Sequence, residues 1–135
     1  MKIKFRDDKH IELYKDWTNW AHCETDAEYC ALFYLFALDE VARMHINDLF
    51  DFEEHRIIRN GIFDLPWMTT TSAATVRLAH NLFNFSMAND KDVNGELRPL
   101  TADKYAPCLI FCSGREYAKY YVEALKIRLE DDFMS

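Results

Sequence analysis

Thr25-Asp26-Ala27-Glu28-Tyr29-Cys30-Ala31-Leu32-Phe33-Tyr34-Leu35-Phe36-Ala37-Leu38 is the stretch that decides the fold, because no residue from Tyr29 to Leu38 carries a charge. Tyr29, Leu32, Phe33 and Phe36 recur at three- and four-residue steps, the spacing of one helix face. Cys30, Ala31, Leu35 and Ala37 fill the other faces. A helix that is apolar nearly all round belongs at the centre of a core. Thr25 with Glu28 has the Thr-x-x-Glu spacing of a capping box, which places the start of this helix.

Working outward, Ile11, Tyr14, Trp17 and Ala21 form an amphipathic stripe, widened by Leu13 and Trp20, with Asp7 or Asp8 available as its cap. Lys2 to Phe5 alternates polar and apolar residues and reads as one short strand. On the other side, Asp39 opens a third predicted helix in which Val41, Met44, His45, Asp48, Leu49 and Phe52 share a face. Periodicity fails between about Phe52 and Met68, where Asn60-Gly61 and Leu65-Pro66 are turn signals. Thr69 to Ser72 offer caps for a fourth helix with Val76, Ala79, Leu82 and Phe83 inward, fading near Met87. Ala88 to Pro99 is polar and reads as a loop, with a β-hairpin as the weaker alternative. Cys108 to Cys112 is an apolar run that suits a strand or a buried turn. Ser113 with Glu116 then caps a last helix along Tyr117, Tyr120, Tyr121, Ala124, Leu125 and Arg128.

The expected architecture is mainly α, a compact bundle of about five helices with one or two short strands at the N-terminus or before the last helix. The 135 residues, half of them hydrophobic, fit one helical domain spanning 1–135. With 10 Phe, 7 Tyr and 3 Trp, burial is ample and folding requires no cofactor. Only 3 Gly and 3 Pro argue against a barrel or sandwich of many tight turns.

A formal charge of −7 disfavours direct nucleic-acid binding and favours a protein partner with a basic surface. The acidic groups suited to such a partner are Asp7-Asp8, Glu53-Glu54 and Glu130-Asp131-Asp132. The N-terminus has charges at Lys2, Lys4, Arg6, Asp7, Asp8 and Lys9 and no apolar signal segment, and no apolar window approaches the ~20 residues of a membrane span. A cytoplasmic location is the expectation, with Cys23, Cys30, Cys108 and Cys112 reduced. The surplus of Trp and Tyr on the first and last helices could serve a homodimer as well as the core.

Three blocks, His45-Ile46-Asn47-Asp48-Leu49-Phe50-Asp51-Phe52, Arg77-Leu78-Ala79-His80-Asn81-Leu82-Phe83 and Tyr120-Tyr121-Val122-Glu123-Ala124-Leu125-Lys126-Ile127-Arg128, resemble those of a domain-of-unknown-function family of short Firmicutes proteins. The resemblance covers most of the chain. It implies a bacterial or mobile-element origin and brings no catalytic residues with it.

Candidate chemistry is sparse. His45, Asp48 and Asp51 at i, i+3 and i+6 could turn toward one metal ion, but a site needs at least three matched ligands and no His-Glu-x-x-His or Glu-x-x-His motif supplies the rest. Capping and interhelical hydrogen bonds account for the block, so no metal is expected. Cys108 and Cys112 enclose an apolar Leu-Ile-Phe and read as core thiols, and His22-Cys23 with Cys30 lacks a second close pair for zinc. Ser113-Gly114 lacks the setting of a nucleophile elbow. Arg77, Asn81 and Arg128 stand beside apolar stripes and need partners, which Asp48 or Asp51 could supply. His45, Asp48, Arg77, Asn81 and Arg128 are therefore the candidate ligand site. Two functions follow: a noncatalytic acidic interaction protein, such as an inhibitor of a host defence nuclease, or a small metal- or ligand-binding enzyme centred on His45, Asp48, Arg77 and Asn81.

Overall fold

A computed structural model describes residues 2–83, 89–91, 94, 96–99 and 102–134, with the side chains of 89–91, 97–99, 102 and 130–134 outside the description. Its helices are α1 (Asp8–Trp20), α2 (Ala27–Leu38), α3 (Glu40–Met44), α4 (Ile46–Leu49), α5 (Thr70–Leu82), α6 (Pro107–Ser113) and α7 (Ala118–Met134). Two antiparallel pairs accompany them, β1 (Phe50–Asp51) with β2 (Arg56–Ile57) and β3 (Asn89–Lys91) with β4 (Leu97–Pro99). The fold is mainly α with short strands. Among the described residues, no helix is long and apolar enough to cross a membrane.

Helix α2 is the centre, as its composition demands. Every residue from Cys30 to Leu38 is buried, and α1, α5 and α7 pack around it. Each fully buried Phe or Leu there contributes about 1.5–3 kcal/mol relative to exposure. The cap falls on Asp26 rather than Thr25: its carboxylate accepts from the backbone N–H groups of Glu28 and Tyr29 at 3.0 and 3.3 Å. A charged acceptor also complements the positive end of the helix dipole, which a threonine hydroxyl does not.

Asp7 caps α1 by accepting from the His10 N–H at 2.7 Å. The same helix ends in a Schellman motif. The Cys23 N–H bonds Thr18 C=O at 2.9 Å and the His22 N–H bonds Asn19 C=O at 3.1 Å, with His22 left-handed at φ 55°.

The third predicted helix is two short ones. It breaks at His45 (φ −121°, ψ 32°), and the chain then turns extended at Phe50, so Asp51 lies in β1 rather than on a helix face with His45. Buried Asp39 opens α3, where one carboxylate oxygen accepts from the Ala42 N–H at 2.8 Å and the Ser72 hydroxyl at 2.6 Å. The Thr69 hydroxyl donates to Ser72 and accepts its N–H, so the cap of α5 is wired to the junction of α2 and α3.

The expected strands at Lys2–Phe5 and Cys108–Cys112 are absent, and the short strands lie elsewhere. Side chains, not a neighbouring strand, take up the hydrogen bonds around residues 4–6: Lys4 N–H donates to Glu123, Tyr34 hydroxyl donates to Lys4 C=O at 2.6 Å, and Arg6 N–H donates to His10 Nδ1. Cys108–Cys112 lies in α6, which starts with Pro107 in its first turn, a position where the missing N–H costs nothing. Helical spacing then turns Ile110 inward and leaves Cys108 and Cys112 exposed with their sulfurs 3.9 Å apart, so they are not core thiols. Ser113 closes α6 instead of capping the last helix, and a 3₁₀ turn over Arg115–Tyr117 precedes α7. Within the expected loop Ala88–Pro99, Asn89 pairs with Pro99 and Lys91 with Leu97, a hairpin, while Ala88, Asp92, Val93 and Gly95 lie outside the described residues. Helix α5 ends at Leu82; Met87, its expected fade point, is likewise outside them.

Candidate functional site

The five residues singled out as a ligand site fall into separate structural roles. His45 stacks face to face on Trp67, with centroids 4.6 Å apart and planes at 4°. Trp67 Nε1–H donates to Asp48 at 2.9 Å, and His45 Nδ1 lies 3.9 Å from the same oxygen. The Trp67 indole thus contacts both His45, where the helix breaks, and Asp48 one turn on. The Arg77 guanidinium lies over the Phe63 ring at 4.8 Å, with its buried Nε making no hydrogen bond among the described residues. Asn81, one turn on, is half-buried. Arg128 donates from Nε to Leu82 C=O at 2.8 Å and from Nη2 to Glu28 at 3.1 Å, which ties α7 to the end of α5 and the start of α2. Its carboxylate partner is thus Glu28, not Asp48 or Asp51. Among the described residues, no three His, Cys, Asp or Glu side chains come together to hold a metal ion.

The acidic residues divide likewise. Asp7 is committed to its helix cap and to Arg6 and Arg43 at 3.1 and 3.2 Å. Burial pushes its carboxyl up, but the His10 N–H and Arg43 outweigh this and hold it below its ordinary value. Asp8 is exposed. The side chains of Glu130, Asp131 and Asp132 lie outside the described residues. Glu53 and Glu54 are exposed at the tip of the β1–β2 hairpin, whose turn is fixed by Asp51 accepting both of their N–H groups at 3.0 Å.

That hairpin makes a surface. Phe52 stacks on Phe33 of α2, and its ring meets Trp20 edge-on at 6.1 Å. Trp20 is 61% exposed. His55, left-handed at φ 56°, donates from Nε2 to Ala21 C=O at 2.8 Å and pins the hairpin to the end of α1. With its proton on Nε2, Nδ1 accepts from the Tyr29 hydroxyl at 3.3 Å. Trp20 thus meets the hairpin through Phe52, the residue that precedes the exposed Glu53 and Glu54 in the turn.

Beside the hairpin is a cleft of about 480 Å³ bordered by Tyr29, Asp51, His55, Arg56, Arg59 and Phe83, among others. Of these, His55, Arg56 and Arg59 fall in the segment whose periodicity fails, whereas Tyr29 and Phe83 belong to helix stripes and Asp51 to the His45 block. Phe50 and Ile57 flanking a short, mostly polar stretch, with Asp51 positioned for an Asx turn, is the signal that could have found the hairpin.

A family model described as a family of unknown function, DUF6075, matches residues 1–135. The chain belongs to this family. No curated protein and no solved structure matches it. Membership in DUF6075 covers every element described above and carries no assigned activity. What this DUF6075 protein can do chemically therefore rests on its own side chains, among them an exposed Trp20 in contact with Phe52 of the hairpin and a cleft lined by Arg56 and Arg59.

Proposed function

We propose that the protein is a noncatalytic interaction protein that docks a basic protein partner on the face centred on Trp20. The observation that carries this reading is the pairing of an indole 61% exposed with the exposed Glu53 and Glu54 at the adjoining hairpin tip. Trp is enriched among residues that dominate binding energy, since its burial removes a large rigid apolar surface from water at little entropic cost. Carboxylates around such an anchor steer a basic partner and raise its association rate. The net charge of −7 extends that field over the whole molecule. A partner with a groove lined by Lys and Arg, such as a bacterial host's defence nuclease, has the matching chemistry, and the protein would act on it in the cytoplasm as a mobile-element product.

Photocrosslinking from exposed position 19, next to Trp20, in bacterial host lysate tests the reading. The expected product is a discrete protein, crosslinked through a Lys- or Arg-rich surface and lost when Glu53 and Glu54 are changed to Gln. Crosslinks that are diffuse, or that persist unchanged in Glu53→Gln/Glu54→Gln, overturn it.

A further inference from the structure

The β1–β2 hairpin contributes Asp51, Arg56 and Ile57 to the lining of a cleft. Arg6, Arg43 and Arg128 are each paired with a carboxylate, at 2.9–3.2 Å. Arg56 and Arg59, by contrast, have no ion pair or hydrogen bond from their guanidinium groups among the described residues, although 23 acidic side chains outnumber 16 basic ones. Both border the same cleft of about 480 Å³. That volume is within the range of small-ligand sites. Free guanidinium forks match the oxygens of a phosphate in a bidentate manner.

The rest of the cleft selects what carries the phosphate. Tyr29 and Phe83 meet at 4.8 Å in a T-shaped pair and offer aromatic surface. Tyr29 is held in place by its hydrogen bond to His55, itself anchored on Ala21. Asp51 accepts the turn amides on Oδ1 and also lines the cleft, where its carboxylate is an acceptor. Inorganic phosphate meets that carboxylate mainly with like-charge repulsion, whereas a neutral sugar hydroxyl or base amine donates to it without that cost.

We propose that this cleft binds a nucleoside monophosphate, with the phosphate on Arg56 and Arg59, the base against Tyr29 and Phe83, and a sugar hydroxyl or base amine on Asp51.

The test is an NMR and calorimetric titration of the full chain with the four common nucleoside 5′-monophosphates, their nucleosides and inorganic phosphate. The expected result is binding of at least one monophosphate about tenfold or more tighter than its nucleoside and than inorganic phosphate. Arg56→Ala/Arg59→Ala should lose about tenfold or more of that affinity with Tm unchanged, because both residues are exposed. Absence of binding by all four monophosphates at about 10 mM, well weaker than a millimolar site, overturns the proposal. So does equal binding of inorganic phosphate, which marks a plain anion site, or binding that the double variant leaves intact.

Discussion

The buried imidazole of His10 donates from Nε2 to the main-chain carbonyl of Tyr34 at 2.8 Å while Nδ1 accepts from the Arg6 N–H at 3.1 Å. Both nitrogens are satisfied only when the ring is neutral. Burial pushes its pKa down to about 4. His80, also buried, is pushed down to about 3, chiefly by burial, with Arg59 adding to the effect.

A group depressed from 6.5 to about 4 binds its proton in the unfolded chain first, so its contribution to stability is complete above pH 6.5 and is lost as pH falls toward 4. Between about pH 7 and about pH 5 His10 should cost the fold about 2 kcal/mol. Urea denaturation at both pH values checks this: His10→Gln should show a correspondingly smaller loss than the parent chain.

Gly114 lies where α6 ends, and a Cβ there would overlap the ring of Tyr121. Tyr121 is fully buried, and its hydroxyl is 2.6 Å from Thr75 Oγ1, whose own proton goes to Thr71 C=O. The ring cannot yield without breaking that bond. Gly114→Ala should destabilise by about 1–3 kcal/mol, read as a lower denaturation midpoint.

His22 occupies the left-handed position of the Schellman motif with no side-chain hydrogen bond among the described residues to hold it there. Glycine adopts that conformation without steric cost. His22→Gly should therefore raise stability by up to about 1 kcal/mol, measured as an increase in Tm.

The four thiols should react in two classes. Cys108 and Cys112 are exposed, whereas Cys23 and Cys30 are buried, and burial pushes the Cys23 thiol up to about 12. A thiol-reactive chromophore at neutral pH should titrate Cys108 and Cys112 in the native protein and the other two only after denaturation.

Much of the fold was legible because α2 states its own environment: ten uncharged residues from Tyr29 to Leu38 leave no face for water. The break at His45 was not legible, since the Trp67 ring that packs on it comes from 22 positions further along and meets it only once the chain has folded. Cys108 to Cys112 was too short for periodicity to separate strand from helix, and Pro107 at the helix start was the overlooked signal. At the candidate sites, Glu53 and Glu54 were visible as charge, but Trp20 read as part of a buried stripe, because exposure depends on what packs beside it. Arg56 and Arg59 carried no pattern at all; only the hairpin and the approach of Tyr29 and Phe83 make them two edges of one cleft.

The most direct test of the Trp20 face is the affinity of the crosslinked partner for purified wild-type chain and for Trp20→Ala, measured by calorimetry across a salt series. The account predicts at least a tenfold loss on truncating the indole, about 1.4 kcal/mol or more, and wild-type affinity that falls as salt rises. Equal affinity for both proteins, or wild-type binding indifferent to salt, would contradict it.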